Sequence, residues 1–181
     1  MVAKDILTLY KEASSGVFTG KPRTIGYLTA EGREFLERIS GLRLREDTRF
    51  VVNPSDLNHI RHDHYGDNEK DPGNNVPLTD ADIAAMTRIL AHPDKVLYFQ
   101  EKDGSRRKMF YFLASTPGGT YNLLEVYANT WGNLSSKTLY KTRKGLSQRV
   151  VTLEVLLSTS ETYSGNGLSD ANVSNFFNPA K

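Results

Sequence analysis

Residues 95–140 read KVLYFQEKDGSRRKMFYFLASTPGGTYNLLEVYANTWGNLSSKTLY, and this stretch decides the fold. Lys95–Gln100, Lys108–Ala114, Tyr121–Asn129 and Leu134–Tyr140 are short runs rich in aromatic and aliphatic residues, the composition that suits a pleated strand. Between them lie Asp103-Gly104, Pro117-Gly118-Gly119 and Trp131-Gly132-Asn133, each with turn-forming residues. Four strands in series joined by tight turns predict an antiparallel meander.

Upstream the pattern is helical. Residues 2–13 carry Ile6, Leu7, Leu9 and Tyr10 as an apolar stripe, stopped by Ser14-Ser15-Gly16, and Gly20-Lys21-Pro22 reads as a loop. Thr29 caps a helix from Ala30 to Ile39, because its hydroxyl can accept an amide hydrogen at the helix start. Arg49–Val52 is a brief strand, and Asn53 or Ser55 opens a helix carrying Leu57, Ile60 and three histidines. Tyr65–Val76, polar and rich in Gly, Asn and Asp, reads as an exposed loop. Thr79 starts a helix through Ile83, Met86 and Leu90, ended at His92-Pro93 since a residue before proline is pushed out of the helical region. Leu146–Leu157 fits a closing helix or a fifth strand, and the Gly-, Ser- and Asn-rich end reads as loose. The expected class is α+β, with N-terminal helices followed by a four-stranded antiparallel meander. The expected divisions are a helical arm over 1–21, a domain over 22–163 and a flexible tail over 164–181. Neither G-x-G-x-x-G nor a P-loop stands in a strand–helix context.

The chain has 181 residues, is 38% hydrophobic and 24% charged, and contains no cysteine, so any metal site must use His, Asp or Glu. No apolar run approaches a membrane span and the first residues lack a signal-peptide pattern, so the expectation is a cytoplasmic protein without membrane association. The net charge of +2 is unevenly spread: residues 102–149 hold nine Lys/Arg and two Asp/Glu, against 13 and 16 in residues 1–101. A basic stretch of this kind is the electrostatic footprint of a phosphate-backbone binder.

His59, His62 and His64 fall within six positions, and His92 lies downstream. Three readings compete. H-x-x-H-D-H superficially resembles the H-x-H-x-D-H of metallo-β-lactamase-like hydrolases, but the spacing is off by one and distant ligands are lacking. Alternatively, His62 and His64 cap exposed carbonyls at a helix end, while His59 packs with Leu57 and Ile60. Third, the histidines work with the basic strand end Ser136–Lys144. RNA is cleaved without metal when a base takes the 2′-OH proton, that oxygen attacks the phosphate, and an acid protonates the leaving 5′-oxygen. A fixed Lys or Arg stabilises the charge on the phosphate, and Tyr, Phe or Trp can stack bases. The lysines at the strand end would otherwise guard a sheet edge.

Phe50-Val51-Val52, then Leu57-x-His59-Ile60-x-x-x-His64, then Leu78–Leu90 with His92-Pro93-Asp94-Lys95-Val96, and finally Lys137–Thr142, resemble the phage-associated barnase–EndoU–colicin–RelE-like nuclease families. The resemblance covers roughly residues 22–163. It implies N-terminal helices on a four-stranded antiparallel sheet and metal-independent endoribonuclease chemistry of a toxin or mobile-element effector, needing no cofactor. The target would be RNA such as tRNA, and an immunity protein is an implied partner. Such an effector would act in the cytoplasm or be delivered into a target cell's. Carried onto matching positions, His59, His64, Lys141 and Thr142 become the catalytic candidates, and His62 falls outside the pattern. Tyr140, Arg143, Lys137 and the hydroxyl-rich Ser158-Thr159-Ser160 become substrate-binding candidates. A member without catalysis would be a nucleic-acid- or protein-binding module, and a His-metal hydrolase is the remaining alternative.

Overall fold

The structure, a computed structural model, describes residues 5–73, 75–100, 108–117, 120–142, 169–170 and 175–180. The four aromatic-rich runs form β3 (Lys95–Gln100), β4 (Lys108–Ser115), β5 (Tyr121–Ala128) and β6 (Leu134–Thr142), consecutive and antiparallel. They do not stand alone, and the four-stranded expectation is corrected here. Together with β1 (Arg23–Leu28), β2 (Arg49–Val52), β7 (Ser169–Asp170) and β8 (Phe177–Pro179) they make one sheet, ordered β7-β3-β4-β5-β6-β2-β1-β8. β2 runs parallel to β6, pairing Phe50 with Leu134 and Val52 with Ser136, so the sheet is mixed. β6 is therefore an interior strand over its first half and not the lysine-guarded edge.

Side chains of β3–β6 alternate between two apolar faces. Val96, Tyr98, Phe110, Phe112, Leu124, Val126 and Leu139 face the main core, while Leu97, Met109, Tyr111, Leu113 and Leu123 form a second cluster. The period of two in side-chain direction produces this split. Most of the aromatic residues read as base-stacking candidates are thereby core: Tyr98, Phe110, Tyr111 and Phe112 are buried. Trp131 is exposed, but it sits on the turn before β6, at the far end of that strand from Tyr140.

Helices α1 (Ile6–Ser14), α2 (Ala30–Ser40), α3 (Pro54–Asp63), α4 (Asp80–Ala84) and α5 (Met86–Ala91) supply the rest of the main core. The N-caps follow the sequence. Asp5 accepts from the Thr8 amide, Thr29 from the Gly32 amide, and Thr79 and Asp82 form a reciprocal capping box. Residues 5–14 pack as part of the body rather than as an arm, because Ile6, Leu9, Tyr10 and Ala13 are buried in the same core as Leu57 and Ile60. Full burial contributes roughly 1.5–3 kcal/mol for a residue such as Ile6 or Leu9. Residues 175–180, placed in a loose tail by composition, instead carry Phe176 and Phe177 into that core and add β8 against β1. A side chain at Gly26 of β1 would overlap the Phe177 ring and the Asn178 carbonyl, which explains a glycine inside a strand.

α3 lies alongside β6. Asn53 Nδ2 donates to Ser135 Oγ at 2.8 Å, Lys137 Nζ meets Asp56 Oδ1 at 2.7 Å, and the His64 ring meets Tyr140 at 4.4 Å between centroids. The partners advance together in both elements, so the helix takes the place beside β6 that β2 vacates on ending at Val52. Pro54 at the helix start fixes the turn from strand to helix, and Leu57 and Ile60 seal it onto the core. This arrangement carries the histidines to the C-terminal end of β6.

Candidate active site

The segment after α3 folds back over the His64–Tyr140 contact. The Gly66 amide donates to the Leu78 carbonyl and the Leu78 amide to the His64 carbonyl. Asn75 bridges Thr142 in antiparallel fashion, and the Val76 amide donates to the Lys141 carbonyl at 2.6 Å. Residues 65–78 are thus tied at both ends, and the reading of the whole segment as an exposed loop is corrected at Glu69 and Asn75, which are buried. α1 braces the same segment: Tyr10 packs on Tyr65, the Tyr65 hydroxyl donates to Asp80 at 2.7 Å, and Lys11 pairs with Asp80 at 3.0 Å.

His64 is 7% exposed, so it is no helix-end cap reaching for open carbonyls. Its Nδ1 lies 3.2 Å from Glu69 Oε2. Glu69 Oε1 accepts from the Asp71 amide at 2.8 Å and from Asn75 Nδ2 at 3.2 Å. A carboxylate that already accepts two donors asks the imidazole for a third, which assigns Nδ1 the proton and leaves the lone pair on Nε2. Burial lowers the His64 pKa, the Glu69 hydrogen bond opposes it, and the net direction is downward. The ring is therefore neutral at pH 7, the state a base requires.

His59, one helical turn back, is partly exposed. Its Nδ1 is 3.2 Å from Asp63 Oδ2, and its ring meets that of His64 edge-on at 5.6 Å between centroids. Asp63 Oδ1 also holds Lys70 Nζ at 2.6 Å, and that hydrogen bond keeps the Asp63 carboxyl below its usual range. Two imidazole–carboxylate pairs thus stand side by side, one buried and one open. Asp63, Glu69 and Asn75 were not singled out by sequence. Asp63 had a signal in its i+4 spacing from His59, whereas nothing in the composition of residues 65–76 distinguishes Glu69 as buried.

The strand-end candidates take different places. Tyr140 lies against His64. Lys141 Nζ sits 3.0 and 3.2 Å from the two oxygens of Asp82, which also accepts from the Thr79 amide and hydroxyl. Burial pulls the Asp82 carboxyl upward, but the Thr79 and Lys141 hydrogen bonds outweigh it and hold it below the ordinary value. Thr142 is buried beside Asn75, and Lys137 pairs with the buried Asp56 a turn before His59. His62 is exposed, and His92 caps the end of α5. Arg143, Ser158, Thr159 and Ser160, like Leu146–Leu157, lie outside the described residues. Among the described residues no group of three or more His, Asp or Glu could hold a metal ion, and no helix is long and apolar enough to cross a membrane.

The chain is thus an α+β domain in which histidines at the end of α3 stand against the C-terminal end of β6. Residues 29–149 match the family model described as phage-Barnase-EndoU-ColicinE5/D-RelE like nuclease 3, and the chain belongs to that family. No curated protein and no solved structure matches it.

Proposed function

We propose that this chain is a metal-independent endoribonuclease in which His64 is the base and His59 the acid. The observation that carries this reading is the pair of imidazoles 5.6 Å apart, each with a carboxylate on Nδ1. His64 Nε2 takes the 2′-OH proton, since burial keeps that ring neutral. The 2′-oxygen attacks the adjacent phosphorus and the bond to the 5′-oxygen breaks. The His59 imidazolium, with Asp63 as counter-ion, gives its Nε2 proton to that leaving oxygen. The products are a 2′,3′-cyclic phosphate and a 5′-hydroxyl. Tyr140 fixes the His64 ring plane, and Thr142 with Asn75 anchors the segment that holds Glu69.

Lys137 and Lys141 add positive potential along the α3–β6 seam, although each is engaged by a carboxylate. Arg143 and Ser158–Ser160 are proposed as further substrate-binding residues. The phage-associated family supports the nuclease reading. To it we add the proposal of a toxin or effector that acts on RNA such as tRNA in the cytoplasm and meets an immunity protein. The test is cleavage of single-stranded RNA by the unaltered protein and by His59→Ala and His64→Ala, with and without chelator. Cleavage that survives chelator and is lost in both variants supports the reading. Salt-sensitive RNA binding without cleavage would instead make the chain a binding module.

A further inference from the structure

Resting on the nuclease reading of the same site, we infer that Lys70 is the cation that takes the scissile phosphate. Lys141 is the cation the sequence offers for this task, but the geometry argues against it. Its side chain is about four-fifths buried, at 21% exposure, and sits on both oxygens of Asp82, itself buried and serving the Thr79 cap. Freeing Lys141 for a phosphate would leave a buried carboxylate without its counter-ion, a strongly unfavourable exchange. Lys137, on β6, is more open than Lys141 but pairs with the buried Asp56, a turn before His59 on α3.

Lys70 also pairs with a carboxylate but differs in its exposure and in the carboxylate it holds. Its side chain is 67% exposed and it reaches Asp63, the carboxylate that also holds His59 Nδ1. Its amide donates to the Asp63 carbonyl at 3.0 Å, and the neighbouring Glu69 is fixed by His64, Asn75 and the Asp71 amide. The backbone is therefore held beside both histidines while the ammonium remains at the surface. The ammonium end of this pair is exposed and Asp63 keeps His59 as a second partner, so Lys70 can leave Asp63 for a non-bridging phosphate oxygen at less cost than Lys141 can leave Asp82. Asp63 then keeps its place on His59 and orients the acid. Placed there, Lys70 stabilises the charge that grows on the phosphate oxygens as the 2′-oxygen attacks.

The experiment compares unaltered protein, Lys70→Gln, Lys70→Arg and His64→Ala on one short single-stranded RNA and on its uncleavable 2′-deoxy counterpart. Lys70→Gln should lower kcat/KM at least about ten-fold, and Lys70→Arg should keep most of the activity. On the uncleavable strand, the slope of log affinity against log salt should fall by about 0.7 in Lys70→Gln, the loss of one phosphate contact. The thermal midpoint should stay within about 2 °C, as expected of an exposed pair. An unchanged slope overturns the assignment, as does a lowered slope with unaltered cleavage. If the unaltered protein binds RNA but never cleaves it, the nuclease reading fails, and the slope alone decides whether Lys70 meets phosphate.

Discussion

Glu69→Gln is the substitution that most sharply separates chemistry from folding. The side chain keeps its shape but can accept at only one of its two terminal positions. Oε1 in the native protein accepts from the Asp71 amide and Asn75 Nδ2, so the amide oxygen settles there and the NH₂ group turns toward His64. That NH₂ is a donor, so His64 Nδ1 must become the acceptor and the ring proton moves to Nε2. The base then has no lone pair where the 2′-OH stands. Folding loses one charge-assisted hydrogen bond and gains a neutral one, about 1–2 kcal/mol, or roughly 2–8 °C in thermal midpoint for a chain of this size. Catalysis loses far more. A histidine held in the wrong tautomer has cost about 10⁴-fold in a serine-protease triad, and a fall of about 10²–10⁴ is expected here. The assay pairs single-turnover RNA cleavage with ¹⁵N NMR of the His64 ring. The native ring should show the Nδ1–H form and the variant the Nε2–H form. A variant that shows the switched tautomer and still cleaves at the native rate would refute His64 as the base.

The remaining predictions concern stability. His64 has a lowered pKa when folded, so below about pH 6.5, its ordinary value, the unfolded chain binds more protons and stability falls with pH. Denaturant unfolding between pH 7 and 5 should show this loss, and His64→Gln should flatten it; an identical slope in the variant would contradict the burial argument. Lys141→Met should cost about 1–3 kcal/mol because it strands the buried Asp82, whereas Lys137→Met, whose ammonium is half exposed, should cost no more than about 1 kcal/mol. Equal thermal shifts for the two would show that Lys141 is not the structural pair.

The central strands were legible because their side chains alternate between two apolar faces, a pattern written into KMFYFLA and YNLLEVYA themselves. The α3 histidines and the N-caps at Thr29 and Thr79 were legible because they obey local rules. β1 was not, since Arg23–Leu28 is short and contains Gly26, and the reason for that glycine is Phe177, about 150 residues away in sequence. The parallel pairing of β2 with β6 is likewise a long-range fact with no local signature. At the site, charge pointed to a basic strand end, and the family resemblance picked Lys141 from it. What decides a lysine's role is how far the pair it forms is buried, and Asp82 and Asp63 look alike in sequence.

The most direct test of the central claim is the chemistry of the cut ends. A single-stranded RNA of defined sequence is incubated with the protein in chelator and the fragments are analysed by mass spectrometry, beside the same strand with 2′-deoxy sugars. The account predicts fragments ending in 2′,3′-cyclic phosphate and beginning with 5′-hydroxyl, an intact deoxy strand, and no fragments from His64→Ala. Cleavage of the deoxy strand, or activity abolished by chelator and restored by zinc, would contradict it.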